Sequence, residues 1–122
     1  MSEQLIKRMR EQRMKWVDIA GQPGKRVRII RPTETEVGQY LSKGRELVVG
    51  LEEVKRFAVD WQGYTQADLL GASIGSADAV PFHPDLWAEV VSDQAKWVRQ
   101  LAQDLLDLVV AHGSAVAEDA KN

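Results

Sequence analysis

The chain contains no cysteine among its 122 residues. That excludes a disulfide framework, a thiol nucleophile and cysteine metal ligands, and it suits a reducing cytoplasm. Histidine is nearly as scarce. His83 and His112 are the only two, and they are far apart in sequence. No HExxH pair, EF-hand loop, P-loop or GxGxxG stretch is present, so each histidine reads as a surface or capping residue. Ser92, His83 and Asp93 can be combined on paper into a nucleophile, base and orienter, but no nucleophile-elbow sequence supports them. The carboxylate pairs Glu52/Glu53 and Asp104/Asp107 fall on helix faces among solvated neighbours. The expectation is a protein that is not an enzyme, with no cofactor and no metal. Long apolar runs are missing too: Leu105–Ala111 is interrupted by Asp107, which argues against a membrane span. The N-terminus is charged from Glu3 onward and has no signal-like apolar stretch. No repeat of solenoid or propeller period is visible.

What is present fits one modest globular domain. Apolar residues make up 44% and charged residues 28%, ordinary values for a chain that buries a single core. Charge is unevenly placed. Residues 1–31 hold nine Lys/Arg and three acids, a net +6, and the remainder is net −8. Such polarity can serve a polyanion. The simpler expectation is that the basic end faces the acidic end, within one chain or across a subunit contact.

In chain order, Ser2 can cap a basic helix to about Lys15, with a thin stripe of Leu5, Ile6 and Met9. Lys15–Ile19 and Lys25–Ile30 alternate like strands around the turn signal Gly21-Gln22-Pro23-Gly24. They predict a β-hairpin whose second strand is the free edge. Arg31-Pro32 ends that strand. Thr33-x-x-Glu36 is a capping box for a short helix to Leu41 or Ser42, followed by a loop at Ser42–Gly44. Glu46–Trp61 favours helix, although Phe57, Val59 and Trp61 also alternate as a strand would. Gln62–Ala79 reads as a long loop with one helical turn at Gln66–Leu70. Pro84 suits the first position of a short helix to Val91.

The last and longest helix dominates the sequence. On a wheel of about 100° per residue, Trp97, Val98, Leu101, Ala102, Leu105, Leu106, Leu108 and Val109 fill about half the circumference. Gly113 predicts its stop, and Ser114–Asn122 reads as a flexible tail. The expected organisation is therefore a single domain over residues 1–113. It comprises a basic helix (1–15), a hairpin (15–31) and a helical part (33–112), ahead of a tail at 114–122. The fold class is α+β: mostly helical, with an N-terminal β-hairpin and a long C-terminal helix. An apolar arc this wide needs a partner surface from the chain itself, a second subunit or a client. Trp87, Val90, Trp97, Leu101, Leu105 and Leu108 are the candidate partner-binding residues. Core is the default for Trp16, Trp61, Trp87 and Trp97, with one or two straddling core and contact surface.

Three segments carry a resemblance. They are Val27-x-Ile29-x-Arg31-Pro32 before a capped helix, Val59-x-Trp61-x-Gly63-Tyr64-Thr65-x-x-Asp68, and Val80-Pro81-Phe82-x-x-x-Leu86-Trp87. Their order and spacing, with the chain length, resemble the small tail assembly chaperones of long-tailed bacteriophages and prophages. The resemblance covers roughly Lys25 to His112. It implies a mostly helical protein of the host bacterial cytosol that binds the tail tape measure protein during tail assembly, without catalysis or cofactor. Homo-oligomerisation is a further expectation; membrane association is not, and nucleic acid is a lesser candidate. The rival readings are a neck or tail-completion protein retained in the virion and a nucleic-acid-binding regulator using the basic N-terminus. Ala120-Lys121-Asn122 can also be encoded by a slippery A-AAA-AAC heptamer, which in the resembled family often yields a longer frameshifted product.

Overall fold

The structure is a computed structural model, and it describes residues 1–121. Its elements in chain order are α1 (Ser2–Glu11), β1 (Met14–Asp18), β2 (Arg26–Ile30), α2 (Glu34–Glu36), a π turn (Val37–Leu41), β3 (Ser42–Lys43), β4 (Glu46–Leu47), α3 (Leu51–Arg56), β5 (Ala58–Gln62), α4 (Gln66–Leu70), α5 (Pro84–Ser92) and α6 (Ala95–Lys121). This is the expected α+β class, with an N-terminal hairpin and a long C-terminal helix.

The hairpin closes as its turn chemistry requires. Gly21 and Gly24 take φ of 78° and 81°, which only glycine adopts without strain. The β1 and β2 strands pair antiparallel with Trp16 opposite Arg28 and Val17 opposite Val27. The second strand is not a free edge, however. It is the middle of a three-stranded sheet ordered β1-β2-β5, with Val27 opposite Trp61 and Arg28 opposite Asp60. The helix expected over Glu46–Trp61 is correspondingly short. Glu46 and Leu47 form the tiny β3–β4 hairpin, α3 lasts six residues, and Ala58–Gln62 is strand. Two apolar periods overlap here, and pairing with β2 decides between them because it satisfies a full row of backbone groups. The register steps from Arg28↔Asp60 to Ile29↔Ala58 and leaves Val59 as a bulge residue. The bulge lets both Ala58 and Trp61 point into the core despite their odd spacing.

Aromatic side chains tie the sheet to the helices. Trp61 stacks on Tyr64 with centroids 4.3 Å apart and meets Phe82 and Trp87 edge-on. Its indole N–H donates to the Val80 carbonyl at 2.7 Å. Trp87, fully buried on α5, donates its N–H to the Val54 carbonyl of α3 at 3.1 Å. Tyr64 reaches Trp97 of α6. Trp61, Trp87 and Trp97 are thus core, and the N–H partners of Trp61 and Trp87 explain how those large amphipathic rings are accommodated. Trp16 is half-buried on the opposite sheet face, with the Arg26 and Arg28 guanidinium groups 5.2 and 5.7 Å from its ring centroid.

The α5 helix starts at Pro84 as expected, and the His83 imidazole accepts from the Asp85 amide. The 62–79 segment is less loose than its glycines suggest. Gln66 and Ala67 amides donate to Asp78 and Ser76 carbonyls, and Val80 N–H to Tyr64. A Cβ on Gly75 would lie 2.4 Å from the Gln66 carbonyl, so that approach requires glycine.

The α6 helix buries Trp97, Leu101 and Leu105 against the body. The Gln100 side chain accepts from the Ala20 amide at 2.9 Å and donates to the Asp18 carbonyl at 2.7 Å, pinning the end of β1 to the helix. Gly113 does not stop it. A glycine stop requires a left-handed residue, and Gly113 is not among the positive-φ glycines. The helix runs on through Ser114–Lys121, where alanines at 115, 117 and 120 supply helix propensity. The expected tail is therefore helical over 114–121; its last residue, Asn122, lies outside the described residues. No helix among the described residues is long and apolar enough to cross a membrane.

Candidate functional site

The six predicted partner-binding residues do not form one surface. Trp87, Leu101 and Leu105 are 0% exposed and Trp97 is 8% exposed. The wide arc of α6 finds its partner inside the chain, against the sheet, α3 and α5. Trp87, Leu101 and Leu105 cannot touch another molecule while the fold is closed, and Trp97 shows only an edge, in the hollow beside Lys25 and Asp68. Val90 and Leu108 are partly buried at the edge of the same core.

Two open surfaces with apolar lining lie beside this core. The first is a groove of about 240 Å³ between the α2 region and the distal half of α6. Pro32 and Val37 form one wall, Val109 and Val116 the other, with Arg31, Glu34 and His112 on the rim. Local chemistry holds its walls. Thr33 and Glu36 close the expected capping box at 3.2 and 2.9 Å. Arg13 donates to the Arg31 carbonyl at 2.6 Å, and Arg31 donates to the Pro32 carbonyl at 2.9 Å. The His112 ring nitrogen lies 3.0 Å from Glu34 and bridges the two walls. Burial and the nearby Arg13 charge lower the Arg31 pKa, against the opposing pull of Glu34. Val116 is 46% exposed at one end of the groove. The trough is apolar, with a cation, a carboxylate and a histidine at its rim.

The second surface is a cleft of about 450 Å³ between α4 and α5, lined by Leu69, Leu70, Val80, Leu86 and Val90 with Glu89 at its edge. A more polar hollow of about 570 Å³ adjoins it through Leu69, Glu89 and Val90 and reaches Lys25, Asp68, Asp93 and Trp97. Lys25 pairs with Asp68 at 3.2 Å. Asp68 caps α4 by accepting from the Thr65 amide and hydroxyl, and these bonds, with Lys25, hold its carboxyl below the usual carboxylate range against the cost of burial. The Tyr64 hydroxyl is buried without a hydrogen-bond partner among the described residues. Burial first, and the Asp68 charge second, push its pKa up.

Sequence reasoning missed the groove residues Pro32, Val37 and Val116. Val116 lay in the segment read as tail. The signal was there: Leu105, Val109, His112 and Val116 continue the helical spacing past Gly113. Among the described residues no three His, Asp or Glu side chains gather to hold a metal ion. No protein-family model, curated protein or solved structure matches the chain.

Proposed function

We propose that the chain is a tail assembly chaperone of a long-tailed bacteriophage or prophage. In this reading it binds a helical segment of the tail tape measure protein in the α2–α6 groove, in the host cytosol and without catalysis. The observation that carries the reading is the groove itself: an apolar trough walled by Pro32, Val37, Val109 and Val116, with Val116 46% exposed. The segments of the resemblance support it by their placement. They converge on Trp61, which pairs with Val27, stacks on Tyr64, bonds to Val80 and meets Phe82 and Trp87. The first of them ends at Arg31-Pro32, on the groove wall.

A nucleic-acid role is less well supported. Arg26 pairs with Asp18 at 3.3 Å, Lys25 with Asp68, and Arg13 lies 4.0 Å from Glu36. Three of the nine basic residues in 1–31 are thus paired with carboxylates within the chain.

The test is co-purification with the tape measure protein encoded by the same phage or prophage. Val116→Asp should weaken binding by more than about tenfold, because it places a charge in the apolar contact. Its circular dichroism should be unchanged. Val110→Asp, 54% exposed and outside the groove lining, should bind as the wild type does. Equal binding by all three proteins would remove the groove as the site.

A further inference from the structure

The α1 helix has no buried residue. Leu5, Ile6 and Met9 are 57–61% exposed, and on a wheel of about 100° per residue they form one stripe bordered by Arg8 on one side and Arg10 on the other. Isolated helices of this length are marginal in water, so an apolar stripe held in the open calls for a docking partner. The stripe also borders a hollow of about 570 Å³ that includes Arg13, Arg31 and Thr33.

The α4–α5 cleft complements it in apolar lining and in charge. It offers Leu70 and Leu86, 59% and 39% exposed, around an apolar floor, and Ile74 projects nearby at 78%. Its charge is acidic: α5 carries Asp85 and Glu89 and no basic residue, and the adjoining hollow holds Asp93 together with Lys25, whose charge is paired with Asp68. Glu89 and Asp93 take part in no ion pair among the described residues.

We propose that α1 of one copy docks in the α4–α5 cleft of a second copy, with Leu5, Ile6 and Met9 against Leu70, Leu86 and Val90, and Arg8 and Arg10 facing Glu89 and Asp93. The two surfaces differ, so the contact is heterologous: the copy that donates α1 keeps a free cleft, and the copy that receives it keeps a free α1. It grows head to tail into a ring or an open chain. The α2–α6 groove takes no part, and this proposal stands or falls separately from client binding.

The experiment is light scattering on the full chain at micromolar concentration, with two exposed-surface variants checked by circular dichroism. The wild type should form assemblies larger than a dimer whose size rises with concentration. Leu5→Glu/Met9→Glu removes the donor stripe, and Leu86→Glu/Glu89→Arg removes the cleft. Each variant alone should be monomeric, and an equimolar mixture should stop at a 1:1 dimer, because it offers one intact stripe and one intact cleft. Raised salt should weaken the wild-type assembly, as expected for opposed surface charges. A monomeric wild type, folded variants that still assemble as the wild type does, or a mixture that forms no dimer would each overturn the proposal. If one variant fails to fold, Arg8→Glu and Glu89→Arg, each weakened alone and restored in mixture, provide the same test.

Discussion

Leu105→Asp is expected to unfold the chain rather than to disable a binding surface. Leu105 is 0% exposed, and among the described residues no polar or charged residue is buried in the core around it. The substitution forfeits about 1.5–3 kcal/mol of apolar burial and leaves a carboxylate with no partner, a far larger penalty unless it protonates. A loss above about 4 kcal/mol is the expected scale, against a total stability of about 5–15 kcal/mol for a domain of this kind. Circular dichroism should show lost helicity at ambient temperature or a melting midpoint lower by more than about 15 °C. Leu101→Asp should behave alike, since Leu101 is equally buried. Val110→Asp on the same helix should stay within about 0.5 kcal/mol of the wild type. A Leu105→Asp protein that melts with the wild type would mean that α6 does not pack as described.

Gly63→Ala should be the most damaging small substitution. A Cβ there would sit 2.0 Å from the Gly24 carbonyl oxygen, 2.8 Å from its carbon and 3.3 Å from Lys25 Cα. All three are backbone atoms and cannot rotate aside. Gly63 also has φ of +84°, where a side chain costs about 1–2 kcal/mol. Relief requires the end of β5 to part from the β1–β2 turn, beginning with the Arg26–Gln62 pair, at a further cost of about 1–3 kcal/mol. Gly21→Ala is the matched control, with φ of +78° and no atom within 4 Å of the added Cβ. Thermal denaturation should place Gly63→Ala well below Gly21→Ala, and equal midpoints would mean that the close approach is not present.

Much of the fold was legible because local signals agreed with one another. The Gly21–Gly24 turn, the Thr33 capping box, the Gln66–Leu70 turn and Pro84 at the start of α5 each have a local chemical cause, and each is found where the sequence placed it. The errors arose where long-range pairing decides. Nothing local in Ala58–Gln62 states that it will pair with β2, and its bulge at Val59 disguises the alternation. Gly113 was misread because a glycine permits a left-handed stop without requiring one, and alanine-rich sequence follows it. The candidate site was harder still. Amphipathicity identifies an apolar face but not what covers it, so the sequence leaves Trp87, Trp97, Leu101 and Leu105 divided between core and contact surface, although core is the default for the two tryptophans; α3, α5 and the sheet enclose all four. The groove depends on the placement of Pro32 and Val37 beside Val109 and Val116, residues far apart in the sequence.

The most direct measurement is nuclear magnetic resonance titration of the labelled full chain with helical segments of the tape measure protein from the same phage or prophage. Shift changes should concentrate on Val37, Val109, His112 and Val116, with the Trp61 and Trp87 indole N–H signals unmoved. No shift with any segment, or shifts confined to the Trp16–Arg26–Arg28 face of the sheet, would contradict a client-binding groove between α2 and α6.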